Sequence, residues 1–426
     1  MAKIDMLHVP YKGGGPAVNA LPGNQVQLNF PMLPSVLPHV RASRLRALGV
    51  TTARRSPAAP DVPAVAAAGG PLAHRARQRR GILTRTQAQR RKANRKQDMN
   101  IDLHNHVIPP TVVDAVKRDP ERFGMKIEEK DGRQYFNSHG RPAELQAVFY
   151  DADAKVEWMD RVGFDIAAIS VGPPIYFYWL SADKGLEAAK LANDGIAQMV
   201  AKHPQRLRGM AHLPMQDPDA AIVELERVVK EYKFKAVEMG TSIEGQPLAA
   251  PRFRKLLKTI EQLGCFVFTH PYQCLAQGGM DDYYLRNFVG FPLDTTLMVA
   301  HLMYSGALDE LKKLKILLPH GGGYVPYQIG RFAHGHRVRP EPKKHTQTNP
   351  YDLLRRFYFD ALTHDAKAAR HLINIVGADR VCLGTDHPFD MGPDDPMGSR
   401  DAIPGLTAEE REQVSSRTAL SLLGEG

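Results

Sequence analysis

Four histidines and one aspartate lie at the ends of apolar segments, a pattern that favours a metal site. They are His104 and His106 of "DLHNH", His270, His320 and Asp386. Neutral imidazole and carboxylate oxygens are ligands that zinc prefers, and they also suit iron, cobalt or manganese. Three histidines and one aspartate would leave a coordination position for water, as a catalytic site requires.

The spacing of the first pair supports this interpretation. Residues two apart in an extended segment point to the same side, so the imidazoles of His104 and His106 can reach one ion. Alone, a His-x-His pair is more often an ordinary surface pair, and Asp386 could simply cap a turn. The coincidence of these residues with several segment ends favours the metal site. His387, next to Asp386, is a competing candidate.

The segments that must position these residues are eight short apolar runs separated by helix-like stretches. Most of the runs are continuously apolar, which is typical of strands buried on both faces. We expect strands over residues 100–104, 164–170, 207–213, 235–240, 265–270, 314–320, 357–362 and 380–386. Eight alternations predict a (β/α)₈ TIM-like barrel, whose chemistry lies at the carboxyl ends of the strands. A doubly wound open sheet is the alternative fold.

Local signals refine this architecture. Residues 218–232 have apolar positions near a 3.6-residue period, and residues 250–264 end in Gly264, a typical helix C-cap. Residues 107–155 form an insertion after the first strand. We expect a short hairpin there, turning at Asp131-Gly132.

Charge divides the chain into unlike parts. Residues 1–98 carry a net charge of +14, and residues 99–426 carry −4. The basic run over residues 75–98 has no interleaved aromatic residues and no zinc-finger or basic-zipper pattern, which argues against nucleic-acid binding. We interpret it as a basic low-complexity linker.

The composition excludes other classes of protein. Three cysteines, none in a CxxC pair, argue against a disulfide framework and favour a reducing compartment, so we expect a cytoplasmic protein. Apolar runs are too short to span a membrane, and the N-terminus lacks a signal-peptide pattern. A GxGxxG motif after a strand is absent, so a dinucleotide cofactor is not indicated.

Residues 8–65, with "YKGGGP", "QVQLNF" and "RLRALGVTTARRS", resemble part of the substrate-binding receptors of tripartite tricarboxylate transporters. The resemblance covers a fraction of one lobe, so a working receptor is not expected. We therefore expect residues 1–74 to be a truncated receptor-like fragment, mostly disordered or partly folded, with residues 75–98 as linker. The hypothesis is that Met99 begins an independent enzyme formed by residues 99–426.

Residues 99–426 resemble the metal-dependent amidohydrolase superfamily, and within it the aminocarboxymuconate-semialdehyde decarboxylase branch. The motifs that carry the resemblance are "DLHNH", "HPQRLRGMAHLPMQDPDAA", "LPHGGGYVPYQIGR" and "GADRVCLGTDHPFDMG". The resemblance implies a carboxy-lyase that removes CO₂ without oxidation from a small unsaturated or aromatic carboxylate. Metal-dependent hydrolysis of a lactone or amide, or hydration, by the same activated water is the alternative.

The resemblance also assigns roles to individual residues. His104, His106, His270 and Asp386 would bind one divalent ion, most simply zinc, and His320 and Asp386 would act in catalysis. Arg331 would reach the substrate carboxylate in the neighbouring subunit of a homodimer.

Arg141 would be a second carboxylate-binding arginine. Tyr272 could take the stacking role in "PYQCLAQGG", where the family has "PWD", and His387 replaces the family's usual tyrosine. These departures leave the identity of the substrate open.

Overall fold

The computed structural model of this protein describes residues 99–426, except residues 139, 276 and 277 and the side chain of Arg141, together with short stretches between residues 17 and 62. The chain divides into two units, residues 1–95 and residues 96–426. In the first unit the helix α1 covers Leu33–Arg41. Most of residues 1–98, including the predicted linker, lie outside the described residues, so the predicted domain boundaries and the start at Met99 stay predictions.

A parallel eight-stranded barrel forms the second unit, as predicted. Its eight strands are hydrogen-bonded to one another in chain order. The strands of the barrel are β1 (Ile101–Val107), β5 (Ile166–Val171), β6 (Leu207–His212), β7 (Ala236–Gly240), β10 (Phe266–His270), β11 (Lys315–Leu318), β12 (Phe357–Asp360) and β13 (Val381–Cys382). Bridges between Asp102 and Leu383 and between Asn105 and His387 close the barrel.

Each of the eight predicted apolar runs overlaps one barrel strand. Strands β1, β5, β7 and β10 are buried along their whole length. Strand β5 is accordingly almost continuously apolar, as is typical of strands buried on both faces. The largest differences between the observed and the predicted bounds are at the first and the last strand of the barrel. Strand β1 extends to Val107 and so contains both His104 and His106, whereas β13 ends at Cys382, before Asp386.

Helices cover the outside of the barrel and connect its strands. The longer ones are α2 (Pro110–Arg118), α5 (Ala152–Val162), α6 (Ala182–Lys202), α7 (Pro218–Tyr232), α8 (Arg254–Gln262), α9 (Phe291–Tyr304), α11 (Val325–Val338) and α13 (Ala366–Val376). The shorter ones are α3 (Pro120–Phe123), α4 (Ala147–Tyr150), α10 (Ala307–Glu310), α12 (Pro350–Leu354), α14 (Pro396–Asp401), α15 (Ala408–Glu412) and α16 (Thr418–Leu423). No helix among the described residues is long and apolar enough to cross a membrane.

Helix α7 shows how the sequence sets these elements. The Asp217 side chain accepts hydrogen bonds from the backbone N–H groups of Asp219 and Ala220, and proline occupies the first helical position. Buried Ala221, Leu225 and Val228 recur at helical spacing and form the face that packs inward. The bounds match the predicted segment 218–232.

The insertion after β1 forms the predicted hairpin. Strands β2 (Met125–Lys130) and β3 (Arg133–Ser138) are antiparallel, and a third strand, β4 (Arg141–Glu144), extends this sheet. Both turn residues, Asp131 and Gly132, have positive φ, which two-residue hairpin turns of this kind require. A two-stranded ribbon, β8 (Ser242–Ile243) with β9 (Gln246–Pro247), lies after β7.

The role of Gly264 in ending α8 can be tested by substitution. Gly264 has a φ of +69°, and a Cβ at this position would have no heavy atom within 4 Å. Gly264→Ala therefore introduces backbone strain without a steric clash. We expect the variant to lose about 1 kcal/mol of unfolding free energy, measured by urea denaturation. Gly335→Ala is the matched control, because Gly335 lies inside α11 with equally open surroundings. It should gain about 0.5–1 kcal/mol. Equal effects of the two substitutions would contradict the proposed cause.

Candidate metal centre

The five residues singled out in the sequence meet at the carboxyl end of the barrel. His104 and His106 lie on β1, and His270 is the last residue of β10. His320 begins the turn that follows β11, and Asp386 lies four residues beyond the end of β13. The barrel therefore brings together side chains that are up to 282 positions apart in the chain.

Asp386 is the centre of this group. Its Oδ1 lies 3.2 Å from Nε2 of His106, 3.3 Å from Nε2 of His104 and 3.8 Å from Nε2 of His270. The other carboxylate oxygen, Oδ2, lies 3.6 Å from Nε2 of His320. One ligand atom from each of His104, His270, His320 and Asp386 lies within 4.8 Å of the other three.

The atoms that face one another here have no hydrogen-bond partner. Nε2 of His104, His106 and His270 and Oδ1 of Asp386 are all buried without one. Leaving a buried polar atom unpaired costs about 1–3 kcal/mol. A divalent cation would satisfy all four atoms at once, so the residues present fit a single metal ion.

The opposite ring nitrogens are held by acceptors. Nδ1 of His104 lies 2.6 Å from Oδ2 of Asp360, Nδ1 of His106 lies 3.2 Å from the Val171 carbonyl, and Nδ1 of His270 lies 2.9 Å from the Pro271 carbonyl. Because a carbonyl or carboxylate only accepts, each Nδ1 donates. When the ring is neutral, this leaves the lone pair on Nε2, the arrangement found in metal-binding histidines.

The charges of the group are strongly coupled. Burial alone would raise the pKa of Asp386, but the facing histidines, His104 first, hold it well below its ordinary value. Burial lowers the pKa of His270 well below its ordinary value, so this ring is neutral. Burial also opposes charge on His104, yet Asp386 and Asp360 together raise its pKa to about 10. A metal must therefore displace a proton from His104, and its affinity should rise with pH.

Two residues of the centre have unusual backbone conformations. His320 has φ 53° and Asp386 has φ 58°, the left-handed region that side chains other than glycine seldom adopt. Such conformations persist where the surroundings fix them, and they cluster at active sites. Both residues follow short strands, so these turns redirect the chain as it leaves the barrel wall.

A cavity of about 860 Å³ opens onto the centre and reaches His270 and Asp386. Six aromatic side chains contribute to its walls: Phe136, Phe149, Tyr272, Tyr284, Phe291 and Phe389. Tyr272, the predicted stacking residue, is among them, and its ring is 5.6 Å from that of Tyr176. Aromatic faces combined with convergent polar groups are typical of a small-molecule site.

The two predicted arginines differ in their position relative to the cavity. Arg331 is exposed on α11 and does not line the cavity within this chain. Arg141 begins β4, and its neighbours Pro142 and Ala143 line the cavity, but its own side chain lies outside the described residues. The roles of both arginines stay predictions.

Sequence reasoning missed two residues of the site. Asp360, which holds His104, is the last residue of β12, but the predicted segment 357–362 runs two residues further, so a strand-end criterion did not single it out. Arg286 is the one lysine or arginine among the described residues that line the cavity, and it forms an ion pair with Asp281 at 2.8 Å. It lies in a π-helical turn, Arg286–Gly290, preceded by Tyr283 and Tyr284 with positive φ. Nothing in the sequence marks this geometry.

The competing candidate, His387, points away from the metal centre's donors. Its ring stacks on Trp158 with centroids 3.6 Å apart, and its Nδ1 faces Nζ of Lys155 at 3.2 Å. Burial lowers the pKa of His387 to about 2, so the ring is neutral.

Comparison with known proteins identifies the family. Residues 101–424 match the family model described as Amidohydrolase. This chain belongs to the amidohydrolase family. Residues 1–75 separately match the model of the tripartite tricarboxylate transporter family receptor, in agreement with the resemblance of residues 8–65.

Relatives of the amidohydrolase part are decarboxylases. The 2-amino-3-carboxymuconate-6-semialdehyde decarboxylase of Dictyostelium discoideum is 30% identical over 336 residues, which cover 76% of this chain and 89% of that protein. The predicted resemblance to this branch of the amidohydrolases is therefore confirmed.

Solved structures confirm the fold. The crystal structure of 5-carboxyvanillate decarboxylase from Sphingomonas paucimobilis has a TM-score of 0.66 at 23% identity, covering 77% of this chain and 99% of that one. That of dihydroxybenzoic acid decarboxylase from a Polaromonas species, with bound manganese and the inhibitor 2-nitroresorcinol, has a TM-score of 0.62 at 24% identity. It covers 77% of this chain and 97% of that chain.

The hydrogen bond between Asp360 and His104 can be tested by replacing the carboxylate with an amide. In Asp360→Asn, the oxygen that accepts from the backbone N–H groups of Gly321 and Leu362 can remain, while an amide NH₂ replaces the oxygen facing His104. The amide would donate to Nδ1, which shifts the His104 proton onto Nε2. We expect metal affinity, measured by competition with a chelator, to fall roughly 10–100-fold. Asp379→Asn, at an exposed ion pair with Arg355, is the control and should bind metal normally. Normal affinity in Asp360→Asn would contradict this orienting role.

Proposed function

We propose that residues 99–426 form a metal-dependent, non-oxidative decarboxylase that acts in the cytoplasm on a small unsaturated or aromatic carboxylate. The observation that carries the proposal is the convergence of four unpartnered buried donor atoms at the end of an aromatic-walled cavity. The decarboxylase relative from Dictyostelium supports the reaction type.

His104, His106, His270 and Asp386 are the residues proposed to hold the ion, and zinc is the metal that this donor set favours. Manganese, which the Polaromonas enzyme contains, and iron or cobalt are the alternatives. A divalent ion bound there would polarise a substrate oxygen and lower the pKa of a bound water.

His320 and Asp386 are proposed to supply the proton that decarboxylation consumes. When the C–C bond to the carboxylate breaks, the electron pair remains on the substrate carbon, which must take up a proton as CO₂ leaves. His320 is 18% exposed, and its Nε2 lies 3.6 Å from Oδ2 of Asp386, a separation that a small movement or a water molecule could bridge. His320 would serve as the general acid that delivers this proton to the carbon. Solvent would supply the next proton to His320, with the adjacent Asp386 carboxylate relaying it.

The cavity walls are proposed to hold the substrate. Tyr272 can stack on a planar ring or on a conjugated chain. Arg286 belongs to the same subunit as the cavity and offers its guanidinium to a substrate carboxylate. Its present partner, Asp281, is 79% exposed and therefore competes only weakly for the guanidinium. Arg141 is proposed as a further carboxylate-binding residue, because its strand borders the cavity.

A homodimer with Arg331 acting in the neighbouring subunit is the proposed assembly. Arg331 and Tyr327 lie one helical turn apart on the exposed side of α11, and Tyr327 is 61% exposed. The hydroxyl of Tyr324, the residue before α11, donates to the Val289 carbonyl. This hydrogen bond links the start of α11 to the segment near the cavity wall that contains exposed Phe288. Exposed aromatic side chains of this kind are enriched at protein interfaces.

Removing one proposed ligand tests the function directly. We expect the wild-type chain to bind about one metal ion and to release CO₂ from at least one member of a panel of aromatic and muconate-type carboxylates. His106→Ala should lose both the metal and the CO₂ release, since one of the buried donors is gone. His301→Ala, which removes an exposed histidine on α9, is the control. Hydrolysis or hydration products without CO₂ would instead identify a hydrolase or a hydratase.

The trans role of Arg331 predicts complementation between two impaired variants. Arg331→Ala should raise KM or lower kcat while metal content stays near that of the wild type. Mixing it with His106→Ala should partly restore activity, because a hybrid dimer contains one site with an intact metal centre facing an intact arginine. Activity that never exceeds that of Arg331→Ala alone would argue for a role within one subunit.

A further inference from the structure

The barrel closes at a seam between β1 and residues 383–387, which follow the two-residue strand β13. Strand β1 pairs with β5 at Ile101, Asp102, Asn105, His106 and Val107. On its other side, two isolated bridges and four backbone hydrogen bonds join it to residues 383–387. The metal centre spans this seam, with His104 and His106 on one side and Asp386 on the other.

A buried side-chain network crosses the seam at the same level. Oδ2 of Asp102 accepts hydrogen bonds from the Thr385 hydroxyl at 2.6 Å and from the Asn105 amide at 2.9 Å. Nζ of Lys155, on α5, donates to Oδ1 of Asn105 at 2.8 Å and to the His106 carbonyl at 2.9 Å, and faces Nδ1 of His387 at 3.2 Å. We call these five residues, Asp102, Asn105, Lys155, Thr385 and His387, the seam network.

Lys155 joins the two sides of the seam through its Nζ atom. A lysine ammonium has three N–H donors, and three acceptors surround Nζ. Two of the acceptors belong to β1 and the third to His387, next to Asp386. Lysine is almost never fully buried unless its charge is satisfied, and Lys155 is 0% exposed.

His387 is a suitable partner because its position is fixed independently. Its ring is nearly parallel to that of Trp158, at an interplanar angle of 14°, and its backbone N–H donates to the Thr385 hydroxyl at 3.2 Å. Trp158 and Lys155 both belong to α5, so this one helix holds His387 by stacking and by a hydrogen bond.

We propose that Lys155 is a positioning residue of the metal centre, which holds β1 and the Asp386 segment at the separation that the metal donors need. Lys155 does not touch the donor nitrogens or the cavity. It acts through the His106 backbone and through His387, so its loss should change the coordination geometry and weaken metal binding. The inference rests on the metal ligands of the proposed function.

The test uses Co²⁺ as the probe, added to the metal-free full-length protein. Its visible absorption reports coordination geometry, and a titration gives its affinity, so neither readout needs a substrate. Lys155→Met keeps the length of the chain but removes all three donors. We expect at least a tenfold loss of Co²⁺ affinity and an altered absorption band.

Two further variants separate positioning from general destabilisation. Lys155→Arg retains N–H donors and should recover part of the affinity and the wild-type band. His387→Leu leaves Lys155 in place but removes the acceptor beside Asp386, so it should change the band in the same direction as Lys155→Met. It also provides the measurement if Lys155→Met fails to fold. Lys202→Met is the matched control, because Lys202 is 52% exposed and pairs with Asp153.

The outcomes are distinguishable. If wild-type protein gives no coordinated Co²⁺ band, the metal site of the proposed function is wrong. If the wild type gives the band and folded Lys155→Met and His387→Leu reproduce its affinity and spectrum, the positioning role is overturned. Weaker binding with an unchanged band, to the same extent in Lys202→Met, would likewise reject the role.

Discussion

The structure depends on burying the Asp386 carboxylate among three imidazole Nε2 atoms that have no hydrogen-bond partner. Asp386 Oδ1 and three Nε2 atoms are withdrawn from water without hydrogen bonds. Such a cluster is unfavourable in an apolar interior unless a cation compensates it. The surrounding elements follow from this constraint: each ring is fixed from behind by an acceptor, and Asp360, the nearest carboxylate behind His104, is itself held by backbone N–H groups. The interior of the barrel supplies the rigidity that such an arrangement needs.

The barrel seam is where this constraint is hardest to meet. Strand β13 is only two residues long, and the chain leaves the sheet before Asp386 with a left-handed backbone conformation. Backbone hydrogen bonds from Thr385 and Asp386 to the His104 carbonyl cross the gap, at 3.2 Å and 2.8 Å. Polar side chains between these strands complete the connection, which explains why a lysine can be buried there at a tolerable cost. Stability and function therefore share the same residues in this part of the fold.

Much of the fold and the convergence of the five central residues could be predicted from the sequence, for physical reasons. Strands buried on both faces appear as continuous apolar runs, and a barrel places all their carboxyl ends on one side, so polar residues there stand out. Lys155 illustrates what could not be predicted, because a lysine on an amphipathic helix normally indicates a solvent-exposed position. Arg286 was missed because its place on the cavity wall depends on a π-helical turn and on two strained tyrosines. Arg331 can be assigned only in the context of an assembly.

The cavity walls and the metal donors come from different kinds of structure. The donors lie on barrel strands or directly after them, whereas Phe136, Phe149, Tyr272, Tyr284 and Arg286 come from the insertion and from the loop after β10. Mutations in those loops can therefore alter which molecule is accepted without disturbing the ion or its supports. This separation gives the scaffold evolvability: substrate range can drift in small steps while the bond-breaking machinery is inherited intact. It also makes residues 272–291 a rational first library for directed evolution.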